Sequence, residues 1–159
     1  MNKSVKKMSI TALLIAMGIT IPMVMPKITI PPASYTLASH VPVFISMFIS
    51  PYVAIAVVLG TAWGFFMTTP LVIALRALSH IVFAFLGALY IKDHQNVIQS
   101  NASFWGFNIG IGIIHAFFEA IVVLLFYTSS KAPMPSGGLV RNLLIFIGLG
   151  GFIHSLIDF

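Results

Sequence analysis

Residues 71–91 read Leu-Val-Ile-Ala-Leu-Arg-Ala-Leu-Ser-His-Ile-Val-Phe-Ala-Phe-Leu-Gly-Ala-Leu-Tyr-Ile, an apolar run broken only by Arg76, Ser79 and His80. A helix that crosses a bilayer needs about 20 mostly apolar residues, and this stretch supplies them. Arginine at membrane depth costs a few kcal/mol on insertion scales, so Arg76 calls for a partner or a ligand. Arg76 and His80 are four residues apart and share one helix face.

The rest of the chain repeats this character. Of 159 residues, 59% are hydrophobic and 7% charged, and the mean hydropathy is +1.07. A soluble domain carries roughly 25% charged residues. Three acids and eight bases cannot cover a water-facing surface of this size, so the chain belongs in a bilayer. There is no cysteine, which excludes disulfides and thiolate sites. The net charge of +5 contains no basic run beyond Lys3, Lys6 and Lys7, which argues against nucleic acid as a partner.

Apolar runs and breakers predict an all-α membrane protein, a single integral membrane domain over 1–159. Six transmembrane helices are expected, at about 8–25, 37–49, 52–67, 71–91, 104–128 and 139–157. Pro22, Pro26 and bulky flanks leave no small-x-small cleavage site, so the first run reads as a span and not a signal peptide. Lys27 to Thr36, with Pro31-Pro32, is too apolar for a solvated loop and reads as an ordered lid over the bundle. Lys92 to Ser103 is the most polar loop, and Ser129 to Gly138, with Pro133, Pro135 and Gly137-Gly138, is a flexible one. The N-terminal lysines and Lys92 fall on one side, and Lys27, Lys131 and Arg141 on the other. The denser N-terminal cluster predicts cytoplasmic termini.

With that topology, polar groups from several helices meet in the outer half of the membrane. His115 and Glu119 share a face of the fifth span, at a depth similar to Arg76 and His80. Tyr35, His40, Arg141 and Asn142 face the same level, while His154 and Asp158 fall at the inner end. Such a cluster suits a small polar ligand under a loop lid, with Tyr35, Trp63, Phe65 or Trp105 as a stacking wall. It also suits mere mutual neutralisation of Arg76 and Glu119, with the histidines as hydrogen-bond partners. His94 lies in the polar loop and reads as solvated.

Catalytic motifs are missing. No HExxH, nucleophile elbow or glycine-rich phosphate loop occurs. Zinc needs three or four ligands, and the five histidines and three acids are scattered, so no metal site is expected. The chain is not expected to be an enzyme, to carry a cofactor or to use ATP itself. A small intramembrane metal-dependent enzyme built on His80, His115 and Glu119, and a standalone ion-coupled carrier, are the alternatives.

Small residues at i,i+4 let helices approach closely. Ala56, Gly60 and Gly64, then Gly106 and Gly110, then Gly148 to Gly151, are expected to pack inside the bundle. Ala12 and Ala16, on the span with fewest internal neighbours, are expected to face a partner.

Lys3 to Lys7 with Ala12-x-x-x-Ala16, the proline-containing segment, Ser39-His40-Val41-Pro42-Val43, Ser50-Pro51 and the Gly60-containing third span form a combination. It resembles the substrate-binding S components of energy-coupling factor transporters over most of the chain. Within that family it looks closest to the branch of hydroxymethylpyrimidine or pyridoxine, niacin and pantothenate carriers. The resemblance implies a substrate site near the outer face for a small water-soluble vitamin, closed by the first loop. It implies a bacterial plasma-membrane location. It also implies a transmembrane T component, met by Ala12 and Ala16, and two cytoplasmic ATPase subunits that use the ATP.

Overall fold

The computed structural model describes residues 2–130, 132–133 and 136–159. Lys131 and Pro135, which the sequence assigns to an outer flexible loop, lie outside the described residues. Among the described residues five helices are long and apolar enough to cross a membrane. They are α1 (Lys3–Val24), α3 (Pro51–Thr68), α4 (Leu71–Asp93), α5 (Asn101–Ser129) and α6 (Leu139–Asp158). Between α1 and α3 lie strands β1 (Lys27–Ile30) and β2 (Ala33–Thr36) and the helix α2 (Val41–Met47).

Local chemistry sets the helix starts. Ser50 caps α3, its hydroxyl accepting from the Val53 N–H, with Pro51 in the first turn. Ser100 does the same for α5 through Ser103 N–H. Large apolar side chains such as Leu13, Trp63, Phe66, Ile113 and Leu144 face outward, as lipid contact requires.

The expected span over residues 37–49 is not a spanning helix. Only the seven residues of α2 are helical there. An α-helix rises about 1.5 Å per residue, so even the full stretch falls well short of a hydrocarbon core of about 30 Å. The chain nevertheless returns across the bundle, because α1 and α3 run parallel: Gly60 packs on Ile15, Thr61 on Gly18 and Gly64 on Ile19. The return is made by the β-hairpin, a turn and α2 in series. The turn places Ala38 in the left-handed region at φ 62°, which is strained for a non-glycine residue.

The proline segment is ordered, as expected, but it is a hairpin. β1 and β2 pair antiparallel, Ile30 opposite Ala33 and Lys27 opposite Thr36. β1 is exposed throughout, while Ala33, Ser34 and Thr36 of β2 are buried against the helices.

The small-residue steps divide. Gly60 and Gly64 do pack inside: a Cβ at Gly64 would lie 2.7 Å from Ile19 backbone atoms. Gly106 and Gly110 do not, since a Cβ added at either would meet no atom of another element within 4 Å. Gly64→Ala is therefore expected to cost about 1–3 kcal/mol by overpacking the α1–α3 contact. Gly110→Ala is expected to stay within about 0.5 kcal/mol of the parent. Thermal unfolding in detergent measures both.

Two apolar clusters form the core. One gathers Leu14, Phe44, Met47, Val57, Phe83 and Ile111. The other gathers Ala33, Phe65, Ile73, Ala77, Val123 and Ile147. On α4 the join between them falls between Ala77 and Phe83, and on α5 between Ile111 and Val123. Arg76, His80, His115 and Glu119 sit at or next to that join.

Candidate binding site

Arg76, His80, His115 and Glu119 are 1–5% exposed, so their charges and polar atoms must be met inside the protein. Arg76 Nη2 donates to Glu119 Oε2 at 2.7 Å, and Nη1 donates to the Pro32 carbonyl at 3.2 Å. The second bond ties the hairpin to the cluster. Glu119 Oε1 stands 3.2 Å from His80 Nε2 and 3.3 Å from His115 Nε2. The two histidine Nε2 atoms are 3.1 Å apart. The i,i+4 spacings thus aim all four side chains at one point between α4 and α5.

His40 joins them. Its ring centroid is 4.9 Å from that of His80 and 4.7 Å from that of His115. It comes so deep because the turn before α2 dips into the bundle. Asp158, at the end of α6, holds that turn: Oδ1 accepts from Ala38 N–H, and Oδ2 accepts from His40 N–H, each at 3.1 Å. Asp158 Oδ2 also meets His40 Nδ1 at 2.9 Å. These bonds offset the backbone strain at Ala38. His154 follows one turn earlier, with Nε2 3.3 Å from Ser39 Oγ.

Beside the cluster lies a partly open cavity of about 20 Å³, lined by Ser34, His40, Phe65, Arg76, His80 and Glu119 among others. That is room for about one water. A groove of about 660 Å³ opens beside it between the hairpin and α6, and His154 lines both.

A curated protein resolves what kind of molecule this is. The niacin transporter NiaX of Lactococcus lactis subsp. cremoris (strain MG1363) is 44% identical to the chain over 157 residues. The match covers 98% of the chain and 70% of the relative. The chain belongs to the NiaX family of vitamin transporters. It is a multi-pass membrane transporter and not an enzyme, as its missing catalytic motifs anticipate. No family model and no solved structure matches it. The match does not favour the hydroxymethylpyrimidine or pyridoxine carriers.

Within this NiaX-family chain, the residues singled out from sequence sort into two groups. Arg76, His80, His115, Glu119 and His40 come together. Tyr35 stands at the rim: its hydroxyl donates to the Phe146 carbonyl, and its ring meets His154 edge-on at 5.6 Å. Burial pushes the Tyr35 phenol above its usual value, against the opposing pull of Arg76, so it stays a proton donor.

Asn142 and Arg141 stand apart. Asn142 Nδ2 donates to the Ser136 and Gly138 carbonyls, which fixes the start of α6. Arg141 is exposed and lies over the Phe146 ring at 5.8 Å. Trp63 and Trp105 face outward, and only Phe65 of the expected aromatic wall lines the cavity with Tyr35 nearby.

Asp158 and His154, read from sequence as lying at the inner end, belong to the cluster. The signal was the shortness of the second segment: a stretch too short to span must start below the surface. The middle of α6, Asn142–Gly150, is π-helical. That wider winding, often found at functional sites, carries the Phe146 carbonyl that Tyr35 reaches.

The cluster also has metal-ligand character. His40, His80 and His115 each offer a ring nitrogen, all within 4.8 Å of one another. His40, His154 and Asp158 form a second such group.

Proposed function

We propose that this chain is the substrate-binding S component of an energy-coupling factor transporter, and that it takes up niacin or a close relative. The observation that carries the proposal is a buried arginine with hydrogen-bonding capacity to spare. Arg76 Nε is buried without a partner, while Nη1 and Nη2 are engaged. A carboxylate on a small aromatic ring satisfies such a guanidinium, and arginine binds carboxylates in a planar, often bidentate manner. His80 then offers a ring N–H to the ring nitrogen, and Phe65 and Tyr35 offer apolar walls. The niacin specificity named for the 44% identical relative supports the same ligand class.

A vitamin does not fit a cavity of about 20 Å³, so binding requires the hairpin to lift. The Tyr35 hydroxyl and the Pro32 carbonyl are its latches on α6 and α4. Tyr35→Phe removes one latch worth about 1 kcal/mol. It is expected to raise ligand dissociation by about fivefold, read by stopped-flow.

The chain lacks a phosphate-binding loop, so uptake against a gradient draws on partner subunits. A transmembrane T component and two cytoplasmic ATPases fill that role in this proposal, with the termini in the cytoplasm of a bacterial cell. Ala12 and Ala16 are exposed on α1, whose buried residues Leu14, Gly18 and Pro22 lie on its other face. That leaves the close-packing step free for another helix. Pulling the chain from native membranes is expected to bring ATPase subunits with it. A chain that transports niacin with no co-purifying ATPase is a standalone carrier, and the assembly half of the proposal fails. Calorimetric titration with water-soluble vitamins one at a time is expected to find one tight ligand, and binding of none defeats the other half.

A further inference from the structure

We propose that His40, His80, His115 and Glu119 form a binding site for one divalent transition-metal ion of zinc type. The proposal stands on the geometry of these side chains and does not rest on the vitamin reading.

Three donor atoms form a near-equilateral triangle. His80 Nε2 and His115 Nε2 are 3.1 Å apart, and Glu119 Oε1 is 3.2 Å from the first and 3.3 Å from the second. Zinc binds imidazole nitrogen and carboxylate oxygen at about 2.0–2.2 Å in tetrahedral array, which sets ligand–ligand edges of about 3.3–3.5 Å. The triangle therefore has nearly the size of one face of a zinc tetrahedron. His40 stands over it, with a ring nitrogen within 4.8 Å of the other two histidines. Small side-chain rotations bring that nitrogen to the fourth corner.

Hydrogens satisfy this triangle poorly. A neutral imidazole carries one ring N–H. If both Nε2 atoms bear hydrogen, two N–H groups oppose each other across 3.1 Å. If only one does, the lone pair of the other faces the carboxylate across about the same gap. If neither does, three lone pairs converge, and a cation at their focus satisfies all of them. The Nδ1 atoms of His80 and His115 have no protein partner, so no contact on the far side of either ring fixes its tautomer.

The surroundings suit an ion as well. Asp158 Oδ2 at 2.9 Å from His40 Nδ1 is the carboxylate–histidine pairing that orients metal-binding imidazoles. Arg76 on Glu119 Oε2 leaves Oε1 to face the histidines. The adjoining groove between the hairpin and α6 reaches the cluster at His154, which provides a route in. The donor set, imidazole nitrogen with one carboxylate oxygen, favours zinc, cobalt or nickel over magnesium or calcium.

The test uses the purified full chain in detergent, freed of any affinity tag and stripped with a chelator. Zinc alone is titrated by calorimetry, and cobalt(II) alone by visible absorption. The expected result is one ion per chain, with the intense visible bands of tetrahedral cobalt. Asp158→Asn is expected to weaken zinc about 10- to 100-fold through the oriented His40, and His115→Ala more strongly. His94→Ala, at an exposed histidine, is expected to leave zinc binding unchanged. If His115→Ala does not fold, Asp158→Asn carries the comparison. Folded wild-type chain that binds no stoichiometric zinc overturns the proposal, as does zinc binding undiminished in these two cluster variants. Nicotinate is titrated into the same samples: nicotinate binding without zinc binding sinks only the metal site, and zinc binding without nicotinate sinks only the vitamin reading.

Discussion

Ala16→Trp is expected to abolish niacin uptake in cells and to strip the partner subunits from the purified complex, while the isolated chain still binds its ligand. The separation of effects follows from where the alanine points. Ala12 and Ala16 are both exposed, and the internal contacts of α1 run through Leu14, Gly18 and Pro22 and through Ile15 and Ile19 against α3. Position 16 is exposed in this chain, so with tryptophan there the stability of the isolated protein should stay within about 0.5 kcal/mol. What it destroys is close backbone approach by another helix, which small residues at i,i+4 permit. Ala12→Trp should behave alike. Uptake and co-purification by Ala16→Trp at wild-type level would show that this face docks nothing.

Glu119→Ala is expected to be the most damaging single change in the membrane interior. It leaves Arg76 buried beside the Pro32 carbonyl alone and removes the common partner of His80 and His115. Breaking a buried pair by deleting one member costs about 3–5 kcal/mol, because the surviving charge is uncompensated. Replacing both, as Glu119→Gln with Arg76→Met, avoids the orphaned charge and is expected to recover most of that loss. The double variant should nevertheless fail to bind ligand, since it lacks the guanidinium. Thermal unfolding and calorimetry on the single and double variants separate the two effects. A Glu119→Ala protein as stable as its parent would mean that Arg76 has another partner.

Much of this was open to inspection in the sequence, for a reason particular to membranes. A charge inside an apolar run has few places to go, so Arg76 in residues 71–91 and Glu119 one helix later were expected at one depth, facing each other or a ligand, with their i,i+4 histidines beside them. The helix observed at Leu71–Asp93 matches that reading closely. What escaped was depth. Counting residues along straight helices put His154 and Asp158 at the far end of the last span. The structure brings them to His40, because the segment before α2 dips as a turn held by Asp158.

Two further differences have the same origin. A glycine step marks a face where helices can approach, but not whether one does, so Gly64 is packed and Gly110 is open. Asn142 is polar, and the sequence places it at the outer level of the lid, at the start of the last span. Yet the last helix begins by turning its amide onto the loop carbonyls of Ser136 and Gly138.

The most direct test of the central claim is a pair of titrations into the purified wild-type chain, one with nicotinate and one with nicotinamide. The two differ in the charge presented to Arg76, and a hydrogen bond to a charged group is worth about 1.5–3 kcal/mol. Nicotinate is expected to bind tightly at one site per chain, about 10- to 150-fold more tightly than nicotinamide, and Arg76→Met should abolish the difference. Failure of both compounds to bind a folded chain would contradict the account.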